Sequence, residues 1–384
     1  MSVTYRAAGF AVALTMSGGM AWADSVAPAT YSDTLEIGES VTIKKTVTVD
    51  AGGPDSARVD VFFLADSTGS MGGQIAAAKA NANTVLSSLS GLGDVHFGVG
   101  EYKDTSDAFT YRTNTALTGN ASAVTAGINA WSARGGGDFP EGNLIGLERV
   151  AKETSWRTGS TRVVVMFGDA PGHVGRTDTK DDASGDRITS NETATIAALN
   201  AEGITVQIGN TGGTNPTSGM NRAAGGAAAG QANRIAAATG GEVFTLSSSG
   251  AGIADLIKDA VDATFAEYGS ISLSPLGAEP GVGVTVSDPI LGDFDREETR
   301  TFDFDVTFTG LEEGTHDFVI HALIDGGIVA TETDRIVVGE GGEPGPGPDP
   351  GPGPGPAPIP LPAGLPLLLG ALGGLGLISR RRKG

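Results

Sequence analysis

Residues 58–71 read RVDVFFLADSTGSM. The first eight, RVDVFFLA, form a β-rich apolar run too continuous for a strand with one wet face, and suited to a strand buried on both sides of a parallel sheet. Directly after it, Asp66, Thr68 and Ser70 set a carboxylate and two hydroxyls at alternate positions. Residues 72–89 then carry helical spacing through Ile75, Ala78, Val85 and Leu86. The same succession recurs downstream. Strands are predicted at 95–102, 162–167, 204–208 and 243–246, and helices at 121–133, 143–153, 189–202, 231–238 and 253–265. Alternation over about 210 residues specifies a doubly wound α/β fold, a mostly parallel sheet with helices on both faces. Ligands in such folds bind beyond the carboxyl ends of the strands, so the loops there hold the candidate chemistry.

Three of those loops offer oxygen donors. The first is Asp66-Ser67-Thr68-Gly69-Ser70, the second Gly135-Gly136-Gly137-Asp138-Phe139-Pro140-Glu141-Gly142-Asn143, and the third Gly168-Asp169-Ala170-Pro171-Gly172-His173. Singly, each has a plain explanation. Asp66 or Ser70 would cap a helix, Glu141 would suit a helix dipole, and Asp169 would close a turn. Their coincidence at three strand ends of one sheet favours a hard divalent cation, Mg²⁺ first, with Mn²⁺ or Ca²⁺ as alternatives.

Residues 58–268 resemble a von Willebrand factor type A domain. Asp66-x-Thr68-x-Ser70 is similar to that family's metal-ion-dependent adhesion site, whose pattern is Asp-x-Ser-x-Ser. The family's usual Thr in the second loop is missing. Asp138-Phe139-Pro140-Glu141 instead resembles the Asp-x-Pro-Glu loop in the A-like domains of integrin β subunits, and Phe167-Gly168-Asp169-Ala170 with His173 resembles their third loop. The resemblance implies that Thr68, Ser70 and Glu141 bind the metal, with Asp66 and Asp169 direct or through water, and that an acidic group of a partner completes the octahedron. Phe97-Gly98-Val99-Gly100-Glu101-Tyr102-Lys103-Asp104 resembles the integrin loop feeding a second cation site, which would join Asp104, Asp138, the Pro140 carbonyl and Glu141. Gly136 stands where that site has Asn. A third integrin site needs two acids where Gly72 and Gly73 stand, and is expected to be absent. The acidic loop 176–187, with Asp178, Asp181, Asp182 and Asp186, lacks the bidentate Glu of an EF-hand and reads as a solvated charge run.

The flanks read as β. Residues 34–49 suggest one short and one long strand, residues 301–308 alternate strictly with Phe302, Phe304, Val306 and Phe308 inward, and 318–338 forms a hairpin pattern around Asp325-Gly326-Gly327. A strand pair at 34–49 would be marginal alone. The expectation is therefore one β-sandwich built from 24–57 and 269–338, with the α/β domain inserted as in the integrin hybrid domain; tandem domains are the alternative.

Both ends read as addresses. Residues 1–23 carry Arg6, an apolar run too short to span a bilayer, and Ala21-Trp22-Ala23 before Asp24, the form of a secretory signal cleaved between Ala23 and Asp24. Residues 339–358 form a Pro/Gly-rich linker. Residues 359–384 hold Ile359, then Pro360-Leu361-Pro362-Ala363, an apolar stretch of only ~15 residues, and Arg380-Arg381-Arg382-Lys383. This tail resembles the VPLPA-CTERM sorting signals of Gram-negative bacteria, with Ile for Val, and implies an exosortase-like processing enzyme and transient membrane association. A permanent anchor is the alternative. Export to the cell surface, the outer membrane or the medium follows.

The chain has 384 residues, enough for two domains with tails, and a formal charge of −20. That field disfavours nucleic acid and welcomes cations. The absence of Cys and the presence of only four His exclude thiol chemistry, disulfides and His-rich sites. No Ser-His-Asp arrangement or acid/base carboxylate pair is evident, so no enzymatic activity is expected. The favoured function is adhesion to a carboxylate-bearing protein or glycan through the bound cation. The alternatives are a surface-layer or biofilm protein whose metal only rigidifies loops, and, more remotely, a phosphoaspartate-type phosphotransferase. That last chemistry lacks a P-loop and has little ATP outside the cell.

Overall fold

The computed structural model describes residues 24–178, 187–275 and 281–339. The signal segment, the linker beyond 339, the sorting tail and Asp181, Asp182 and Asp186 lie outside them. Three strands come first: β1 (Ser25–Ala27), β2 (Thr30–Leu35) and β3 (Ser40–Val49). The alternating region follows as β4 (Ala57–Asp66), α1 (Gly72–Leu89), β5 (Gly93–Tyr102), β6 (Tyr111–Thr118), α2 (Ala121–Ala130), α3 (Asn143–Glu153), β7 (Thr161–Gly168), α4 (Glu192–Ala201), β8 (Ile204–Asn210), α5 (Gln231–Ala238), β9 (Val243–Thr245) and α6 (Ile253–Ala263). Six strands close the described chain: β10 (Glu267–Ser274), β11 (Val282–Val286), β12 (Ile290–Asp295), β13 (Arg300–Gly310), β14 (Gly314–Ile324) and β15 (Gly327–Val338). No helix among the described residues is long and apolar enough to cross a membrane.

The α/β region builds one six-stranded sheet in the order β6-β5-β4-β7-β8-β9, parallel throughout except for the antiparallel β5–β6 pair. Its central strand β4 is buried almost end to end, as its continuous apolar run requires. β6 has no counterpart in the sequence reading. Its segment, YRTNTALT, is an edge strand with exposed Arg112 and Thr113, and shows no buried face from which to read a strand. Helix α2 ends at Ala130, three residues early, because Trp131 turns into the core and donates its indole N–H to the Gly100 carbonyl at 3.1 Å.

The flanking strands share two sheets. One runs β1-β3-β13-β11 and the other β12-β10-β14-β15-β2, so strands from before and after the α/β region lie hydrogen-bonded side by side. Phe302, Phe304, Val306 and Phe308 of β13 all face inward. The Phe308 ring lies 5.5 Å from both Tyr31 of β2 and Phe318 of β14, which belong to the other sheet. At the β14–β15 turn, Asp325 and Gly326 both have positive φ, the type I′ geometry that suits a tight hairpin. Asp24 is tied down by Arg296, which donates to its two carboxylate oxygens at 3.0 and 2.7 Å.

Truncation of Phe308 to Ala removes the ring that links the two β sheets and leaves a cavity. We expect a loss of about 3–5 kcal/mol in equilibrium denaturation.

Candidate metal centre

Parallel pairing aligns the ends of β4, β5 and β7, since Asp66 pairs with Tyr102 and Ala65 with Phe167. The chain leaves each strand at one rim. Asp66 is fully buried there. Its Oδ1 accepts the Thr68 backbone N–H at 2.9 Å and the Thr68 hydroxyl at 2.7 Å. These bonds fold the loop back on the carboxylate and use up one oxygen. The other, Oδ2, is buried with no hydrogen-bond partner. Neither Asp66 nor Ser70 caps α1, whose N-terminus has no side-chain cap. The Ser70 oxygen lies 3.4 Å from that of Thr68, and the Ser70 hydroxyl is close enough to Asp169 to favour its charged form.

The second loop is zipped to the first by Gly69 N–H to the Gly135 carbonyl and Arg134 N–H to the Ser67 carbonyl, both at 3.1 Å. Gly136, at φ +87°, passes so close that a Cβ there would stand 3.1 Å from both Glu141 Oε1 and Thr68 Cβ. Glycine is required at that crossing. Glu141 is locked to the third loop, its N–H donating to the Pro171 carbonyl and its carbonyl accepting from His173, both at 2.9 Å. Its Oε2 is a second buried carboxylate oxygen with no hydrogen-bond partner.

Asp66, Thr68, Ser70, Glu141 and Asp169 thus line one rim, with Ser70 exposed and Asp169 half-buried, while the carboxylate oxygens of Asp66, Glu141 and Asp169 do not all lie within 4.8 Å of one another. The electrostatics record the crowding. Burial, then the charges of Asp66, Asp104, Asp107 and Asp169, push the Glu141 carboxyl up to about 9. Burial pushes Asp66 up to about 7, against the Thr68 hydrogen bonds and with help from Asp169. Asp169 is raised by burial, partly offset by Ser70.

Lys103 had no role in the sequence reading. It lies under the loops and donates its ammonium to the carbonyls of Ser67, Ser132 and Arg134, binding the first two loops together. Burial lowers its pKa against the pull of Glu101, Asp107 and Asp66. Because its protons go to carbonyls, it leaves the carboxylate oxygens unserved.

A second cluster stands beside the first. Asp104, Asp138 and His173 bring one ligand atom each within 4.8 Å of one another. His173 Nε2 is 2.9 Å from Asp138 Oδ1 and 3.6 Å from Asp104 Oδ1. Burial raises the Asp104 pKa, but hydrogen bonds from Ser106 and Thr105, with His173, outweigh it and hold the group low. Of the second set read from sequence, Asp104 and Asp138 meet, and an imidazole stands between them. Pro140 is buried, and Gly225 packs against its ring and that of His173. Asp178, read as part of a solvated run, is instead buried. It accepts from Thr110 at 3.2 Å and lies 3.6 Å from Arg149, because the strand-like segment carrying it tucks against α3.

Both shifted carboxyls hold protons more tightly folded than unfolded, where their values are 3.8 for Asp66 and 4.5 for Glu141. Without metal, stability is fullest with both protonated and falls as pH rises through about 7 and on towards about 9. In chelator, we expect Glu141→Gln to be more stable than wild type by a margin that widens from about pH 5 to 9. Denaturation midpoints across that range measure it.

The von Willebrand factor type A domain model matches residues 60–258. The alpha-protein kinase vwkA of Dictyostelium discoideum is 33% identical over 122 residues, which are 30% of this chain and 19% of that protein, so the chain spans about a fifth of that relative. Among solved structures, a von Willebrand factor type A protein from Catenulispora acidiphila is 16% identical, with a TM-score of 0.37, 80% of this chain and 72% of that one covered. The pilus adhesin SpaC of Lactobacillus rhamnosus GG is 15% identical, with a TM-score of 0.35 and coverages of 78% and 45%. Proximal thread matrix protein 1 of the mussel byssus is 15% identical, with a TM-score of 0.37 and coverages of 57% and 48%. The match over 60–258 spans more than half of the chain, which belongs to the von Willebrand factor type A domain family.

Proposed function

We propose that this chain is an exported adhesion protein that grips a carboxylate of a protein or glycan partner through a divalent cation held by Asp66, Thr68, Ser70, Glu141 and Asp169. One observation carries the reading: two carboxylate oxygens, Asp66 Oδ2 and Glu141 Oε2, are buried without a donor in a cup whose mouth is the exposed Ser70. Buried acids in that state are costly unless a cation neutralises them. Hydroxyl and carboxylate donors without nitrogen suit Mg²⁺ first, then Mn²⁺ or Ca²⁺. A cation bound there would supply a charged coordination position for an outside acid. The residues themselves shape the cup, hold its hydroxyls in place and keep its floor dry. The second cluster, with Asp104, Asp138 and His173, is an accessory position beside it.

The proposal extends to the setting. The α/β region, residues 58–268, is read as an insert in a β domain formed by 24–57 and 269–338, supported by the pairing of β3 with β13 and of β2 with β15. A signal cleaved after Ala23 would export the chain. An exosortase-like enzyme acting at Pro360-Leu361-Pro362-Ala363 would settle it at the surface after transient membrane contact. Nucleic acid is not the partner. A binding role, without catalysis, is what the donor set supports.

Adding Mg²⁺ at about 100 times its Kd is expected to stabilise the wild type by about 2.7 kcal/mol and Glu141→Ala by nothing measurable. Retention on carboxylate-coated beads should vanish with chelator and with Ser70→Ala. Metal stabilisation without retention would assign the cation to rigidifying the loops.

A further inference from the structure

Among the described residues, a fully buried ionic cluster lies between the two β sheets. Lys45 of β3 and Glu332 and Asp334 of β15 have side chains at most 1% exposed. Each sits at a position of its strand where the alternation points inward. Lys45 stands between Ile43 and Val47 and opposite Phe304, and the acids stand between Ala330 and Ile336. Lys45 Nζ is 2.6 Å from Glu332 Oε1 and 3.0 Å from both oxygens of Asp334. Equal distances to the two oxygens place the nitrogen midway between them, astride the Asp334 carboxylate. Asp334 Oδ1 also accepts the Tyr31 backbone N–H at 2.8 Å, while Oδ2 has no hydrogen-bond donor assigned. The site therefore presents an amine within 3.0 Å of both oxygens of one carboxyl group, a backbone donor on one of those oxygens, and a second carboxyl touching the amine.

We propose that Lys45 and Asp334 condense to an amide, a covalent staple between the two sheets, with Glu332 as the proton carrier. The balance is simple. The Lys45 ammonium and the Asp334 carboxylate give one amide and one water, and no oxidant or cofactor is involved. Glu332 relays a proton from the ammonium to the Asp334 carboxylate, which leaves a free amine beside a neutral acid. The amine lone pair attacks Cγ, and the charge developing on Oδ1 is met by the Tyr31 N–H. Glu332 then takes a proton from the nitrogen as it gives one to Oδ2. The Cγ–Oδ2 bond breaks, water leaves, and Glu332 ends protonated as it began. Burial, reinforced by Asp334 and opposed by Lys45, raises the Glu332 pKa, the direction that favours a proton on its carboxyl group.

The dry setting also supplies the driving force. In water, solvation of the two ions opposes condensation. Here neither ion is solvated, and the reaction removes both charges from the core. The bond would close a loop of 289 residues that encloses the entire α/β region, and long loops are those whose closure most restricts the unfolded chain. Tension entering before residue 45 and leaving after residue 334 would pass through the staple and bypass the metal-binding domain.

Mass spectrometry of the purified full chain tests this. After denaturation and proteolysis, the wild type is expected to yield a branched peptide joining the Lys45 segment to the Asp334 segment, lighter than the two together by one water. Fragment ions should place the branch at Asp334. Lys45→Arg, Asp334→Ala and Glu332→Gln should each lose it. The wild-type digest decides the matter even if a variant fails to fold. Recovery of the two segments only as linear peptides overturns the proposal in favour of a plain ion cluster. A branch at Glu332 overturns the assignment of Asp334 as the acyl donor.

Discussion

Two buried carboxylates, each with one oxygen that no donor reaches, set the terms for the α/β domain. Asp66 and Glu141 come from different loops and reach the same rim, near enough for the charge of one to raise the other, because β4, β5 and β7 end in register. The cost of burying them together is written in their pKa values, raised to about 7 and about 9. Lys103 is the nearby cation, yet its protons are spent on three backbone carbonyls. The domain thus ties its loops together with one internal charge and leaves one oxygen of each acid without a donor. Gly136 and the Glu141–Gly172 bridge show how closely the backbone is drawn in to keep that arrangement.

Much of this was legible in the sequence, for a physical reason. Strands buried on both faces read as unbroken apolar runs, and the loops after them stand out because their donors have no other evident use. RVDVFFLA and RVVVMF were plain for that reason. β6 was not, because an edge strand with wet faces has no such signature. Lys103 was invisible because a lysine in a loop ordinarily reaches solvent, and only the fold shows its ammonium turned inward. Asp178 failed in the opposite direction. It was grouped with neighbouring charges, and its burial against Arg149 and Thr110 depends on a helix 25 or more positions away in the chain.

The β part misled more quietly. Residues 40–49 alternate as a half-buried strand should, and the alternation puts Lys45 inside. Residues 330–338 do the same with Glu332 and Asp334. Each segment alone looks like a strand with a stray charge. Only the sheet pairing shows that the three strays meet. A lysine on one core-facing strand and Glu-x-Asp on another is a readable pattern once the two strands are known to face each other.

The two buried acid clusters solve one electrostatic problem in opposite ways. At the strand ends, the acids outnumber any cation that reaches them, and one side of the cup is open to solvent through Ser70. Charge balance there has to come from outside and can be withdrawn. In the β core the acids share a lysine from the same chain and are sealed. The neutralising cation there belongs to the chain itself and cannot be withdrawn. An open site suits reversible exchange, since whatever balances the charge can enter and leave. A sealed one suits permanence, since nothing needs to exchange. Placing the two clusters in separate sheets lets the loops at the strand ends adjust while the packing of the β sheets stays fixed.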